Sequence, residues 1–323
     1  MRRVRHIAIG LAGLIGLMWV FGPYEDATLT PSVDTSGISG NLDAYFAARE
    51  AEFDDIKPGV EKRVVWAGQP NAETEWAVLY VHGFSASSEE IRPVPDQVAD
   101  ALGANLIYTR LRGHGRSDDA LVEGSVRAWM TDVAEGLNAA RVAGRRVLVI
   151  STSTGGTLVT AAAQDTAMMQ DVAGVVFVAP NFGINTPAAS LITWPAARWW
   201  LPKIAGERRS FEPRNEAHGI YWTTEYPSVA LMPMAALIKK VVALDHSVTS
   251  VPALFWYSDQ DRVVRSDITA KVAAAWGGDT QIIIPELDPT DDPLAHVITG
   301  AIVSPSQTDA TTKDILQWVR SLQ

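Results

Sequence analysis

The stretch VLVISTSTGGTLV, residues 147–159, decides how the rest of the chain is read. Val147 to Ile150 are apolar, Ser151 to Thr154 all carry hydroxyls, and Gly155 and Gly156 lead into an apolar segment of small residues. A buried strand that ends on hydroxyls and turns at once into a helix lifts one side chain clear of a sheet. Ser153 is that side chain. The positions two before and two after it, Ser151 and Gly155, must be small because neighbouring backbone crowds them, and Gly156 eases the tight start of the helix. The first N–H groups of that helix would face negative charge developing at the hydroxyl.

Working outward, further strand-like runs are RVVWA (63–67), AVLYV (77–81), NLIYT (105–109), RVLVI (146–150), GVVFVA (174–179), ALFWY (253–257) and QIII (281–284). Helical spacing separates them. Val94, Val98, Ala101 and Leu102 share one face; so do Val126, Trp129, Val133 and Leu137, and near the end Ile315, Leu316, Val319 and Leu322. Before the first strand, a short helix fits Leu42, Tyr45, Phe46 and Phe53, with Asn41 as its cap. Strands alternating with helices predict a mostly parallel central sheet covered by helices on both faces. From Asn181 to about Val251 no strand is expected, and the segment is rich in aromatics and prolines. It sits where strands deliver their C-termini, so it predicts a helical cap over a binding crevice. Trp194, Trp199 and Trp222 are its candidate substrate-binding residues.

A serine hydroxyl is a weak nucleophile until a base takes its proton. Of six histidines, His6 lies in the N-terminal segment, His82 and His114 sit in glycine-flanked turns, His218 falls in the presumed cap, and His246 precedes a strand. His296, in the loop DPTDDPLAHVITG after the last strand-like run, is the best-placed base. The carboxylate that orients it should follow a strand between serine and histidine. ALFWYSDQDRVV offers Asp261, with Asp259 as the alternative and more at home capping a turn. Oxyanion donors are expected from the backbone N–H of Phe84, in the turn after AVLYV, and of Thr154, next to the nucleophile.

Composition excludes other chemistries. The chain holds no cysteine, so disulfides, thiolate catalysis and Cys-ligated metal sites are ruled out. A net charge of −10 disfavours a nucleic-acid partner. Asp288, Asp291 and Asp292 read as an exposed acidic loop rather than a metal site, and no cofactor is expected. At the N-terminus, Arg2, Arg3 and Arg5 precede fifteen uncharged residues, Ile7 to Phe21, the pattern of an export segment. As a helix these would cover about 22 Å at ~1.5 Å each, short of the ~30 Å hydrocarbon core unless flanking residues reach the interfaces. Residues 1–22 are thus expected to be a signal anchor or signal peptide, with 23–40 a linker and 41–323 the domain. That arrangement puts the domain outside the cytoplasm, in the periplasm or secreted, with a membrane contact through the segment if it is not removed.

The motifs VHGFSASSEE, TRLRGHGRSDD, ISTSTGG, FWYSDQDRVV and AHVITG, in that order, resemble the α/β-hydrolase superfamily, and within it the cap-bearing bacterial carboxylesterases and monoacylglycerol-lipase-like enzymes. The resemblance runs from Arg63 to the C-terminus. It implies catalytic roles for Ser153, Asp261 and His296, with the Phe84 and Thr154 amides as oxyanion donors. Ser151 stands where many relatives have glycine and Thr152 where they have a bulkier residue. The expected activity is hydrolysis of a small-molecule ester or lipid through an acyl-enzyme. Two alternatives are an aminopeptidase or amidase of the same fold, gripping an amine with Glu207, Glu212, Glu216 or Glu225, and a membrane-tethered binding module without turnover.

Overall fold

The computed structural model describes residues 2–32, 38 and 40–322; residues 33–37 and 39 of the expected linker, and the side chains of Arg2, Arg3 and Arg5, lie outside the described residues. Helix α1 (Arg2–Phe21) carries the N-terminal segment. Among the described residues no helix is long and apolar enough to cross a membrane, so the anchor expected there finds no support. Helix α2 (Leu42–Glu50) starts at Asn41, whose side chain accepts a hydrogen bond from Ala44 N at 3.0 Å. Phe53, assigned to this helix from spacing, lies past its end. The guanidinium groups of Arg110, Arg112 and Arg116 sit 5.0, 4.6 and 4.3 Å from its ring centre.

The chain then alternates as β1 (Arg63–Val65), β2 (Thr74–Val81), α3 (Val94–Leu102), β3 (Asn105–Tyr108), α4 (Val126–Ala143), β4 (Gly144–Thr152), α5 (Thr154–Ala162) and β5 (Val172–Val178). The insertion follows with α6 (Ala197–Ala205), β6 (Arg208–Ser210), α7 (Glu216–Tyr221), β7 (Glu225–Pro227) and α8 (Leu231–Val242). The main sheet resumes with β8 (Ala253–Trp256), α9 (Ser266–Ala275) and β9 (Thr280–Ile283), and α10 (Thr308–Arg320) closes the chain.

All seven strand-like runs join one seven-stranded sheet in the order β1-β3-β2-β4-β5-β8-β9. Every neighbouring pair is parallel except β1 with β3, where Val64 faces Ile107 antiparallel at the edge. Alternation along β4 divides the core. Val147 and Val149 pack with α4, α5 and α8 through Trp129, Val133, Leu158 and Leu237, while Leu148 and Ile150 pack with α3 and α10 through Val98, Ile315 and Trp318. Ala101, placed on the buried face of α3 by spacing, is exposed.

The insertion is not free of strands, contrary to expectation. β6 and β7 pair antiparallel, with Arg209 opposite Tyr226. Each is three residues long and β6 is exposed throughout, so no alternation of burial marks it. The insertion also divides its labour. Leu237, Ile238 and Val241 of α8 belong to the core, whereas Phe211, Trp222 and Tyr226 line a cavity above the sheet.

Candidate active site

Four connections converge at the C-terminal ends of the strands: the turn after β2, the β4–α5 bend, the loop after β8 and the loop after β9. Ser153 sits at the bend with φ 49° and ψ −116°, a left-handed conformation that strains a residue with a Cβ. Backbone bonds hold it there, among them Ser153 N to Val178 O at 3.0 Å, Asn181 N to Ser153 O at 2.9 Å and Gly156 N to Ser153 O at 2.9 Å. Gly155 is required by contact, because a Cβ there would lie 2.2 Å from Val81 O. Ser151 is fully buried and donates to Val176 O at 3.0 Å, so its hydroxyl is absorbed by the neighbouring strand.

His296 Nε2 lies 3.1 Å from Ser153 Oγ, and its Nδ1 lies 2.8 Å from Asp261 Oδ2. The structure therefore brings together the three side chains singled out from the sequence. The other Asp261 oxygen accepts the Val263 and Val264 amides, each at 2.8 Å, so the carboxylate cannot turn away. Asp259, the alternative, is exposed, and its backbone carbonyl accepts Ser266 Oγ at 3.1 Å. Burial alone would lower the imidazole pKa of His296, but the charge and hydrogen bond of Asp261, with the charges of Glu90 and Asp292 behind them, raise it above its ordinary value. Asp292 also fixes the loop: its Oδ2 accepts His296 N at 3.1 Å and Val297 N at 3.0 Å, while Oδ1 holds Arg214 at 3.1 Å.

The turn after β2 is set by its own histidine. His82 Nε2 accepts the Leu111 amide at 3.1 Å, so Nδ1 carries the proton and donates to Gly83 O at 2.8 Å. Burial holds this ring neutral, with its pKa pushed down to about 4. Anchoring Gly83 O on one side directs the next amide, Phe84 N–H, to the other. Among the described residues that amide donates to no backbone carbonyl. Thr154 N–H is the first of its helix, where no intrahelical acceptor exists. His114 lies buried behind the Phe84 ring, and His246 is buried in a short turn ahead of β8. His218 lines the cavity edge-on to Trp222, with ring centres 4.5 Å apart.

A cavity of about 450 Å³ opens over Ser153 and His296. Its wall is mostly apolar, with Phe84, Ile184, Trp222, Leu231, Met234 and Val303 among its residues. Of the three candidate tryptophans, only Trp222 reaches it. Trp194 and Trp199 line a separate crevice with Pro23, Tyr24 and Glu25, where the Trp194 ring meets Trp19 at 5.3 Å. Both are more than two-fifths exposed, at 42% and 58%. Aromatic content cannot tell a cavity wall from an outer surface. Of the four cap glutamates only Glu212 lines the cavity, and Glu225 pairs with Arg208. Asp291 is buried and accepts bonds from Asp288 N, Ser306 Oγ and Gln307 Nε2, so it serves the loop itself.

One acidic residue in the cavity wall escaped sequence reading. Glu89 and Glu90 are adjacent, yet Glu89 pairs outward with Arg63 and Arg92 while Glu90 is 3% exposed and faces the cavity it shares with Ser153 and His296. Only the phase of the turn separates them.

A family model described as serine aminopeptidase, S33, matches residues 72–286, more than half the chain, and stops short of the loop that carries His296. No curated protein matches by sequence. Similar solved structures include one of LipS and LipT, metagenome-derived lipolytic enzymes, at 19% identity and TM-score 0.64, covering 82% of this chain and 99% of that one. A soluble variant of monoglyceride lipase from Saccharomyces cerevisiae, in complex with a substrate analog, has 11% identity, TM-score 0.59, and coverage of 84% and 97%. Est1E from Butyrivibrio proteoclasticus with ferulic acid has 15% identity, TM-score 0.56, and coverage of 81% and 94%. At these identities the likeness speaks for the fold.

Proposed function

Since the chain belongs to the serine aminopeptidase S33 family of α/β-hydrolases, we propose that it hydrolyses carboxylic esters of apolar acyl groups through an acyl-enzyme on Ser153. The observation that carries the reading is the unbroken relay from Ser153 Oγ through His296 to Asp261, opening on an apolar cavity. Ser153 Oγ attacks the carbonyl carbon as His296 Nε2 takes its proton. Asp261 holds the imidazole in the required tautomer and stabilises the charge it gains. The carbonyl oxygen, now negative, is received by the Phe84 and Thr154 amides. Collapse breaks the bond to the alcohol, which leaves with the proton from His296. Water then repeats the sequence in reverse and frees the acid and Ser153.

A series of p-nitrophenyl esters of rising acyl length, run beside Ser153→Ala, tests this. Turnover that survives in the mutant would remove Ser153 from the mechanism. The family description favours a second reading, cleavage of aminoacyl amides, for which a carboxylate must meet a substrate ammonium. Glu212 at the cavity edge is the cap residue placed for it. Aminoacyl-p-nitroanilides cleaved faster than the esters would select that reading. A binding module without turnover would leave a fluorophosphonate probe unreacted.

We also propose that the domain works outside the cytoplasm, held at the membrane by residues 1–22 if they are retained, because three arginines precede an apolar run there. Recovery of the full chain in a cytosolic fraction would refute this.

A further inference from the structure

Glu90 is buried in the wall of the catalytic cavity, and the serine relay does not use it. Its Oε2 accepts two hydrogen bonds, from Gly83 N at 2.7 Å and from the Tyr80 hydroxyl at 3.0 Å. The Tyr80 hydroxyl also meets Thr152 Oγ1 at 3.1 Å, on the residue just before the nucleophile. A buried chain of polar groups thus links the turn after β2 to the bend that carries Ser153. Space is as tight as the bonding: a Cβ on Gly83 would lie 2.7 Å from Glu90 Oε1 and 3.1 Å from Ser153 Cβ.

These contacts matter because, among the described residues, Glu90 is the acceptor that holds Gly83 N–H. His82 holds Gly83 O at 2.8 Å, and Glu90 holds Gly83 N–H. With both ends of Gly83 tied, the plane of the next peptide has little freedom, and Phe84 N–H has one direction to point. Resting on the reading of Ser153 as nucleophile, we propose that Glu90 is a positioning residue of the oxyanion turn, holding Gly83 so that Phe84 N–H meets the charge formed on the substrate oxygen.

The role does not demand a charge. Burial pushes the Glu90 carboxyl up to about 7, against the pull of the Gly83 and Tyr80 bonds and the charge of His296. With a proton on Oε1, which has no protein partner among the described residues, Oε2 still accepts both bonds. The groups that face Glu90 are Tyr80 from β2 and His296 from its loop, with Asp261 behind the imidazole. A glutamine reproduces the acceptor; an alanine does not.

The test compares wild type, Glu90→Ala, Glu90→Gln and Tyr80→Phe. The readouts are the rate of fluorophosphonate labelling, which asks only for serine, imidazole and oxyanion donors, and kcat and KM on a p-nitrophenyl ester. Glu90→Ala is expected to slow labelling and kcat by about 30- to 100-fold with KM moved less than about 3-fold, the pattern of a displaced donor. Glu90→Gln should recover most of that loss and shift the acid limb of the pH profile slightly downward, because one of the charges that add to Asp261 in raising the His296 pKa is gone. Should Glu90→Ala fail to fold, Tyr80→Phe carries the test, with kcat down about 3-fold at constant KM; an unchanged kcat there overturns the proposal. So does wild-type labelling in a folded Glu90→Ala, a glutamine variant as slow as the alanine, or a loss confined to KM. Failure of wild type itself to label would instead sink the nucleophile assignment.

Discussion

Among the described residues, the buried charges beneath α2 and those around Ser153 behave differently. Beneath α2, Arg110 grips Glu50 through two bonds at 2.7 and 2.9 Å, and Lys62 reaches both Asp132, at 2.6 Å, and Glu135. Tyr45 donates to Glu135 at 2.7 Å and Arg49 covers its edge at 3.2 Å. Burial alone would lower the Lys62 pKa, but its two carboxylates raise it. The space left among these groups is about 40 Å³. Around Ser153 the buried groups are as polar, yet they border a cavity of about 450 Å³ and keep hydrogen-bonding capacity in reserve. Among the described residues, Phe84 N–H, Thr154 N–H and Glu90 Oε1 make no hydrogen bond to protein. Buried charge as such is poor evidence of function, since paired charges commonly hold elements together. Unused hydrogen-bonding capacity beside open space is the better sign.

The contrast predicts opposite phenotypes. Ser153→Ala should lose at least about 10³-fold in kcat while its melting temperature stays near wild type, measured on the same preparation. Lys62→Met should do the reverse. Removing the cation that Asp132 and Glu135 share leaves buried Asp132 unpaired and costs about 3–5 kcal/mol of stability, read by denaturant unfolding, with kcat intact at temperatures where the fold persists. If Lys62→Met lost activity without losing stability, the division between the clusters would be wrong.

A pH profile sharpens the catalytic side. The raised pKa of His296 keeps the imidazole protonated, and unable to accept the serine proton, to higher pH than an ordinary histidine. The acid limb of kcat/KM should therefore have its midpoint above about 6.5, and Asp261→Asn should move it down. A midpoint at or below the ordinary value would show that Asp261 does not charge-couple to the ring. Smaller effects separate the tryptophans. Trp222→Ala should raise KM for a long acyl ester by about 10-fold, whereas Trp199→Ala, outside the cavity, should leave KM within about 2-fold. Asp259→Asn should change neither constant. Any large effect there would make the exposed carboxylate part of the site.

How much was legible follows from the range over which each signal acts. The five inner strands, β2 to β5 and β8, are visible as apolar runs because a covered parallel sheet needs them apolar on both sides. The bend at Ser153 is visible because its demands, small neighbours and a helix start, fall within five residues. The β6–β7 hairpin is not visible, being three exposed residues paired with three others. Phe53 carries the right residue type for a helical face but lies beyond the helix end, held by arginines far away in the chain.

The amino-acid order by itself determined the strand–helix alternation, the strained bend and which serine, aspartate and histidine were available to meet there. Those properties depend on local spacing and on the burial each residue type tolerates. Tertiary structure alone decided which of two adjacent glutamates enters the cavity wall, which tryptophan lines it, and which buried charges are fully paired. Each of these turns on a direction in space: a shift of one residue in a turn, or the packing of a helix from another part of the chain, sends the same side chain into a pocket or out to water.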